Sequence, residues 1–170
     1  MTVPDPTPSH AAHDPLPSWS ALVAVYQSVL HEVVAALEHE AATDSGVFSA
    51  LAYLARAQPP NRLPMAELQR AMHPRYSQPG FSRLVQRMEH DGLVERRPDP
   101  ADRRATIVVL TRAGRRQFRE ANEVYVAALR DSFGRHVRDD EHARLAAILT
   151  RVADRRDRTR KTAGHIRQIG

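Results

Sequence analysis

Between Ser77 and Asp91 the chain reads SQPGFSRLVQRMEHD. Phe81, Leu84, Val85 and Met88 stand at i, i+3, i+4 and i+7, the spacing of one buried stripe on a helix. The opposite face carries Gln78, Ser82, Arg83, Gln86, Arg87 and His90, with Glu89 the one carboxylate before Asp91. These side chains share a chemistry: arginine pairs with guanine O6 and N7, glutamine with adenine N6 and N7, and serine with either. A solvated amphipathic helix gives the same inward stripe, so this helix alone leaves both readings open. Further along, Asp99-Pro100-Ala101-Asp102-Arg103-Arg104-Ala105 is too polar for a core turn. Arg103 or Arg104 at a hairpin tip can enter a minor groove, where narrow walls focus negative potential. A neighbouring Asp102 can hold such an arginine extended beforehand. A plain solvated turn is the competing reading, and the helix-then-basic-hairpin order weighs against it.

The elements that must position these residues follow from periodicity and punctuation. Residues 1–18 hold five of the twelve prolines and no apolar period, and are expected to form a disordered arm. From Trp19 to about Ala41 two apolar stripes run side by side: Leu22, Tyr26, Val29, Val33 and Leu37, then Val23, Leu30 and Val34. That arc is wider than one side of a monomeric helix needs, which points to burial against a partner as well. Helices are predicted over Ser45 to about Ala57 and Pro64–Met72, broken by His73-Pro74-Arg75-Tyr76. Ser77 is then a plausible N-cap and Gly92 a C-cap for the helix between them. Leu93–Arg97 and Ala105–Leu110 are strand candidates that return antiparallel. Thr111 is expected to cap a helix reaching about Phe133, and a last helix to run from about Asp140 to Arg156 before a basic tail.

Charge is unevenly spread. The net is +5, yet residues 1–61 carry −5, residues 62–119 carry +7 (thirteen Arg against six acids) and residues 120–170 carry +3. A basic middle is the footprint of a polyanion-binding module. Lys161 is the single lysine, so arginine richness by itself counts for less than its clustering. The absence of cysteine removes disulfides, thiolate metal sites and cysteine nucleophiles together. The N-terminal sequence lacks the basic-then-apolar order of a secretory signal, and no apolar run is expected to approach the roughly 18 residues of a membrane span. A cytoplasmic, non-membrane protein is the expectation. No nucleophile elbow, P-loop or dinucleotide fingerprint is present, so no enzyme is expected.

The stretch Ser77–Arg96, followed by Asp99-Pro100-Ala101-Asp102-Arg103-Arg104 and by Val109-Leu110-Thr111-Arg112-Ala113-Gly114-Arg115, resembles the MarR family of bacterial transcription regulators. The likeness lies in the helix, Gly-Leu-Val, an Asp-x-Arg wing and Leu-Thr-x-x-Gly, and helix order extends it over roughly residues 19–155. It implies a mainly α fold with a small β-hairpin wing: a winged helix-turn-helix lobe plus N- and C-terminal dimerisation helices. The corresponding boundaries are an arm at 1–18, a dimerisation helix at 19–44, the winged lobe at 45–111, C-terminal dimerisation helices at 112–158 and a basic tail at 159–170. The resemblance further implies a homodimer on double-stranded DNA carrying an imperfect palindrome. Ser77, Gln78, Ser82, Arg83, Gln86 and Arg87 would lie on the recognition helix, with Arg103 and Arg104 on the wing and Asp102 orienting Arg104. The resemblance also implies a repressor released by a small organic effector, with Trp19, Tyr26, His31, Phe48 and Tyr53 as pocket candidates that serve equally well as plain core. Two departures stand out: the turn at His73–Tyr76 is longer than the family's, and Pro79 and Gly80 replace the Ser or Thr that often face DNA.

Other readings remain beside this one. His31-Glu32 and Glu38-His39-Glu40 suggest a metal-responsive regulator of the same fold, but without fixed ligand spacing, so no metal or other cofactor is assigned. An architectural DNA-binding protein of low sequence choice is opposed by Gln78, Ser82 and Gln86, because phosphate binding has no need of amides. Winged helices also serve as protein-interaction adaptors.

Overall fold

The structure is a computed structural model that describes residues 14–59, 61–73, 75–102 and 104–166, with side chains described as far as Asp154. Its elements are α1 (Leu16–Glu40), α2 (Ser45–Arg56), β1 (Arg62–Pro64), α3 (Met65–Met72), α4 (Gln78–His90), β2 (Val94–Pro98), β3 (Thr106–Leu110), α5 (Arg112–Ser132), a 3-10 turn (Gly134–His136) and α6 (Asp139–Ile166). This is the mainly helical winged-helix architecture expected, with three departures.

The first is a strand. Leu63 pairs with Val108 and its neighbours Arg62 and Pro64 with Val109 and Ile107, so the hairpin β2–β3 becomes a three-stranded antiparallel sheet in the order β1-β3-β2. Three residues ending in proline carry no readable period, but proline is tolerated on an edge strand. The strand is anchored by Asn61, which adopts φ 57° and donates from its side-chain amide to the carbonyls of Ala55 and Ala57 at the end of α2.

The second is where α1 begins. Leu16 to Ser18 are helical, not part of an arm, because Pro15 sits at the N-cap and Pro17 in the first turn, where a missing N–H costs nothing. The rest of the arm, residues 1–13, lies outside the described residues. Against the expectation that no apolar run approaches that length, the helix includes an 18-residue window of mean hydropathy 1.5, long and apolar enough to cross a membrane. The third departure is at the other end: α6 continues to Ile166, so most of the expected 159–170 tail belongs to a helix.

Two cores divide the molecule. In the winged lobe, Leu51 and Leu54 of α2, Leu68 and Met72 of α3, the α4 stripe, and Val94, Val108 and Leu110 of the sheet close around one another. In the second, Val33 and Leu37 of α1 meet Phe48 of α2 and Ala121 of α5, with Phe48 stacked between Phe118 and Tyr125. The cores are joined at the α1–α2 link, where buried Thr43 accepts from Gln117 Nε2 of α5 at 2.5 Å and donates to the Ala41 carbonyl. By contrast, Trp19 and Tyr26 of α1 are 57 % and 62 % exposed, and Ile148, Leu149 and Val152 of α6 also lie open. The expected two-sided burial of α1 is thus half realised within one chain. Over its described residues α6 stands largely apart, touching the ring of Phe133 through His142.

One joint fixes the lobe to α5. Gly92, at φ 69°, ends α4 in a Schellman turn: its N–H bonds to the Glu89 carbonyl and the Leu93 N–H to that of Met88. Thr111 then caps α5 by accepting from the Gly114 N–H, and its hydroxyl lies 2.8 Å and 3.0 Å from the carbonyls of Gly92 and Leu93. Gly114 permits this approach, since a Cβ there would stand 2.1 Å from the Leu93 carbonyl oxygen. Gly114→Ala is therefore expected to lower stability by about 1–3 kcal/mol, the usual cost of overpacking. Gly134→Ala, whose Cβ would meet nothing nearer than 3.5 Å, is expected to be nearly neutral. Urea denaturation of both variants at one protein concentration decides this.

Candidate nucleic-acid interface

The α4 helix is set by its buried side. Phe81, Leu84, Val85 and Met88 are all at most 4 % exposed, and Ser77 caps the first turn by accepting from the Gly80 N–H at 3.3 Å. Ser77, Gln78, Ser82, Arg83, Gln86 and Arg87 are exposed, as their alternation with the apolar stripe requires. The structure thus brings the expected face together on one side of one helix. Arg87 stands apart from the other five: its Nη2 lies 3.5 Å from Asp44 Oδ1, the carboxylate that caps α2.

The wing follows α4 across the Gly92 turn. Strands β2 and β3 run antiparallel, and their loop closes through the Asp99 N–H to the Ala105 carbonyl and the Ala105 N–H to that of Asp102, each at 2.9 Å. Asp102 Oδ1 accepts from the backbone N–H of Arg104 at 2.9 Å, and Asp99 Oδ1 accepts likewise from Ala101. The carboxylate expected to hold the arginine side chain instead fixes the arginine's main chain. Asx turns of this kind are how Asp shapes tight loops. Arg104 is exposed at the tip, and Arg103 lies outside the described residues.

The angle between wing and helix has its own brace, built on Glu89, the one carboxylate of α4. Glu89 Oε2 accepts from Arg96 Nε at 2.7 Å and Nη2 at 2.6 Å, while Oε1 accepts from the Arg96 backbone N–H at 3.1 Å. The signal was present as an acid and a base either side of the Gly92 turn. The Arg96 hydrogen bonds hold the Glu89 carboxyl below its usual 4.5. A carboxylate whose folded pKa is depressed keeps its contribution above the unfolded value and loses it as acid protonates the folded form. The brace is therefore intact at neutral pH.

Between α1, α2 and α5 lies a cavity of about 230 Å³. Phe48 and Tyr53 line it, as two of the five pocket candidates, together with Tyr125, Ser45, Arg56 and Arg75. Trp19, Tyr26 and His31 do not: the cavity sits at the C-terminal half of α1, whereas Trp19 and Tyr26 lie toward its N-terminus and His31 is exposed. Tyr26 borders instead an open apolar groove with Leu22, Val25 and Phe133. The two arginines were missed because they reach the cavity from the end of α2 and from the turn before α4, a meeting no local period reveals. Among the described residues no group of three or more His, Cys, Asp or Glu converges as metal ligands, the region of His31 and His39 included.

Residues 43–105 match the MarR family model, a span from the buried Thr43 to the wing. A MarR family transcriptional regulator from Streptomyces coelicolor, solved in complex with DNA, is 25 % identical, with a TM-score of 0.70 over 81 % of this chain and 88 % of that one. A MarR family regulator from Silicibacter pomeroyi is also 25 % identical, with a TM-score of 0.67 over 86 % and 98 %. AbsC of S. coelicolor, at 22 % identity, shares the fold with a TM-score of 0.71 over 89 % and 97 %. No curated protein sequence matches significantly. For the brace, a carboxyl-carbon NMR titration is expected to place the Glu89 midpoint below 4.5, and Arg96→Ala to move it upward; an unchanged midpoint in that variant would remove Arg96 as the cause.

Proposed function

We propose that this chain, a member of the MarR family by residues 43–105, is a sequence-specific regulator that binds double-stranded DNA as a homodimer. One observation carries the reading: a fully buried stripe on α4 turns Gln78, Ser82, Arg83 and Gln86 outward as a set, beside an exposed Arg104 on a braced wing. The relative solved with DNA supports the same use of the fold. Arg83, Gln78, Ser82 and Gln86 read base edges, Ser77 sets the first turn, and Arg103 and Arg104 enter the minor groove. Arg87 reaches DNA only by leaving Asp44, so Arg83 is the sharper test of base reading.

A second copy covers what one chain leaves open. The exposed apolar side chains of α1 and α6 sit at the two ends of the sequence, and interlocking them buries the side of α1 that would otherwise face water. This assigns the apolar length of α1 to a dimer rather than to lipid. The two winged lobes then face half-sites of an imperfect palindrome, centres about 10 bp apart. The regulator acts as a repressor released by a small organic effector held in the cavity, where Phe48, Tyr53 and Tyr125 supply aromatic walls and Arg56 and Arg75 supply charge.

Gel shifts at rising salt, with a duplex selected by the protein from a random pool and a scrambled control, separate this from architectural binding. Phosphate contacts alone lose both duplexes equally. Arg83→Ala is expected to cost about 1–3 kcal/mol on the selected duplex and far less on the control. Arg104→Ala is expected to weaken binding and lower the salt slope by about one. Asp102→Ala is expected to weaken binding as well, although it removes a negative charge, because the Arg104 main chain is no longer held. Tighter binding by Asp102→Ala with normal binding by Arg104→Ala reduces the wing to a solvated turn. Light scattering is expected to give a dimer at micromolar concentration, and a folded monomer there contradicts the assembly.

A further inference from the structure

The turn that launches α4 is built around one ring. Tyr76 is half-buried and packs on the core of the winged lobe. Its hydroxyl end lies so close over Gly46, in the first turn of α2, that a Cβ there would stand 1.8 Å from the hydroxyl oxygen and 2.8 Å from the carbon that bears it. Its other edge faces Gly80, in the first turn of α4, where a Cβ would stand 3.7 Å from Cδ1. The ring thus spans two helix starts, with a glycine at each end. The residues beside Gly46 are engaged as well: Arg75 Nη2 donates to Ser45 Oγ at 2.8 Å, and Arg87 Nη2 lies 3.5 Å from Asp44 Oδ1. Residues 44–46 are therefore reached both from the turn before α4 and from its last turn.

The apolar stripe of α4 decides which face points outward, but not the angle at which the helix stands against α2. The Arg87–Asp44 pair is half-exposed on both sides and contributes little to that angle. A ring wedged between two helix starts is a firmer reference, because close-packed groups transmit a displacement instead of absorbing it. Base reading needs such a reference. Hydrogen bonds to base edges are directional and call for placement within about 0.5 Å, whereas a phosphate contact acts through charge and tolerates more.

We propose that Tyr76 is a positioning residue for base reading: its ring is a strut between the first turns of α2 and α4, setting the tilt at which Gln78, Ser82 and Arg83 meet base edges. This rests on the DNA-binding reading of α4. Tyr76 acts through the helix and touches no base itself. The strut also joins two departures of the sequence from its family, the longer turn at 73–76 and the glycine at 80. The turn carries the ring, and the glycine keeps one side of it clear. Gly46 is the matching requirement on α2. The atoms in the way of a Cβ there belong to the tip of a side chain and not to backbone, so an alanine at 46 moves the ring and leaves α2 in place.

The test uses the full chain, the duplex selected by the wild type and a scrambled control, with urea denaturation showing that each variant is folded under the assay conditions. Selectivity is the Kd for the scrambled duplex divided by that for the selected one. Tyr76→Phe keeps the ring and is expected to keep wild-type selectivity. Tyr76→Ala is expected to lower selectivity about tenfold, within the discrimination one bidentate base contact supplies, while the scrambled Kd stays within about twofold. Tyr76→Leu retains apolar bulk on the core but cannot span the two glycines; it is expected to behave likewise and serves if the alanine variant does not fold. Gly46→Ala is expected to lower selectivity by itself yet to add nothing in a Tyr76→Ala background, because substitutions at residues in contact are not additive. Unchanged selectivity in the folded Ala and Leu variants, equal losses on both duplexes, or fully additive losses in the double variant overturn the strut and leave DNA binding standing. A wild type that selects no duplex overturns the DNA-binding reading, and the strut with it.

Discussion

The burial of one face of α4 is the constraint on which the rest of the structure depends. Phe81, Leu84, Val85 and Met88 enter a core built by α2, α3 and the sheet, and each such side chain contributes about 1.5–3 kcal/mol on leaving water. Exposed ion pairs contribute about 0–1 kcal/mol. The rotation of the helix about its axis is therefore set by the apolar stripe, and the outward direction of Gln78, Ser82, Arg83 and Gln86 follows as a geometric consequence. Side chains on that face are free to be chosen for what they touch, since none is needed to hold the helix in place.

Rotation about the axis leaves tilt and neighbours to be fixed, and smaller interactions do this at both ends. At the N-terminal end, Ser77 caps the helix while Arg75 and Tyr76 lean on the start of α2. At the C-terminal end, the Gly92 turn delivers Leu93 under Thr111 and Gly114, locking the lobe to α5. Glu89 and Arg96 then bind the wing to the helix that precedes it. Each tie is weak alone. Together they convert a well-buried helix into one with a defined relation to the wing, the cavity and the long helices.

The long helices obey a different balance. Within one chain, Val33 and Leu37 are buried against α2 and α5, while Trp19, Leu22, Val25 and Tyr26 of α1 and Ile148, Leu149 and Val152 of α6 remain exposed. The link at Ala41–Thr43 and Gln117 joins these helices to the winged lobe through two side chains. Phe118 of α5 packs against both cores, so the lobe is held to the long helices by apolar packing as well as by these polar contacts.

What the sequence determined by itself is what short-range rules determine. The 3.6-residue stripe of α4, the caps at Ser77 and Thr111, the stop at Gly92, the hairpin and the clustered arginines were legible because each depends on residues within a few positions of one another. Two local readings failed for local reasons: Pro15 and Pro17 stand at the N-cap and in the first turn of α1, and the last helix outran its apolar period. Tertiary structure alone decided the remainder. Strand β1 exists because β3 offers a free edge to three residues with no period of their own. The cavity draws Arg56 and Arg75 from separate elements, and Ser45 meets Arg75 across thirty positions of sequence. Asp102 holds the main chain of Arg104 rather than its side chain because the loop closes tightly enough to bring that N–H to the carboxylate. Period and capping are written along the chain, whereas these contacts are set by where buried faces bring distant segments to rest.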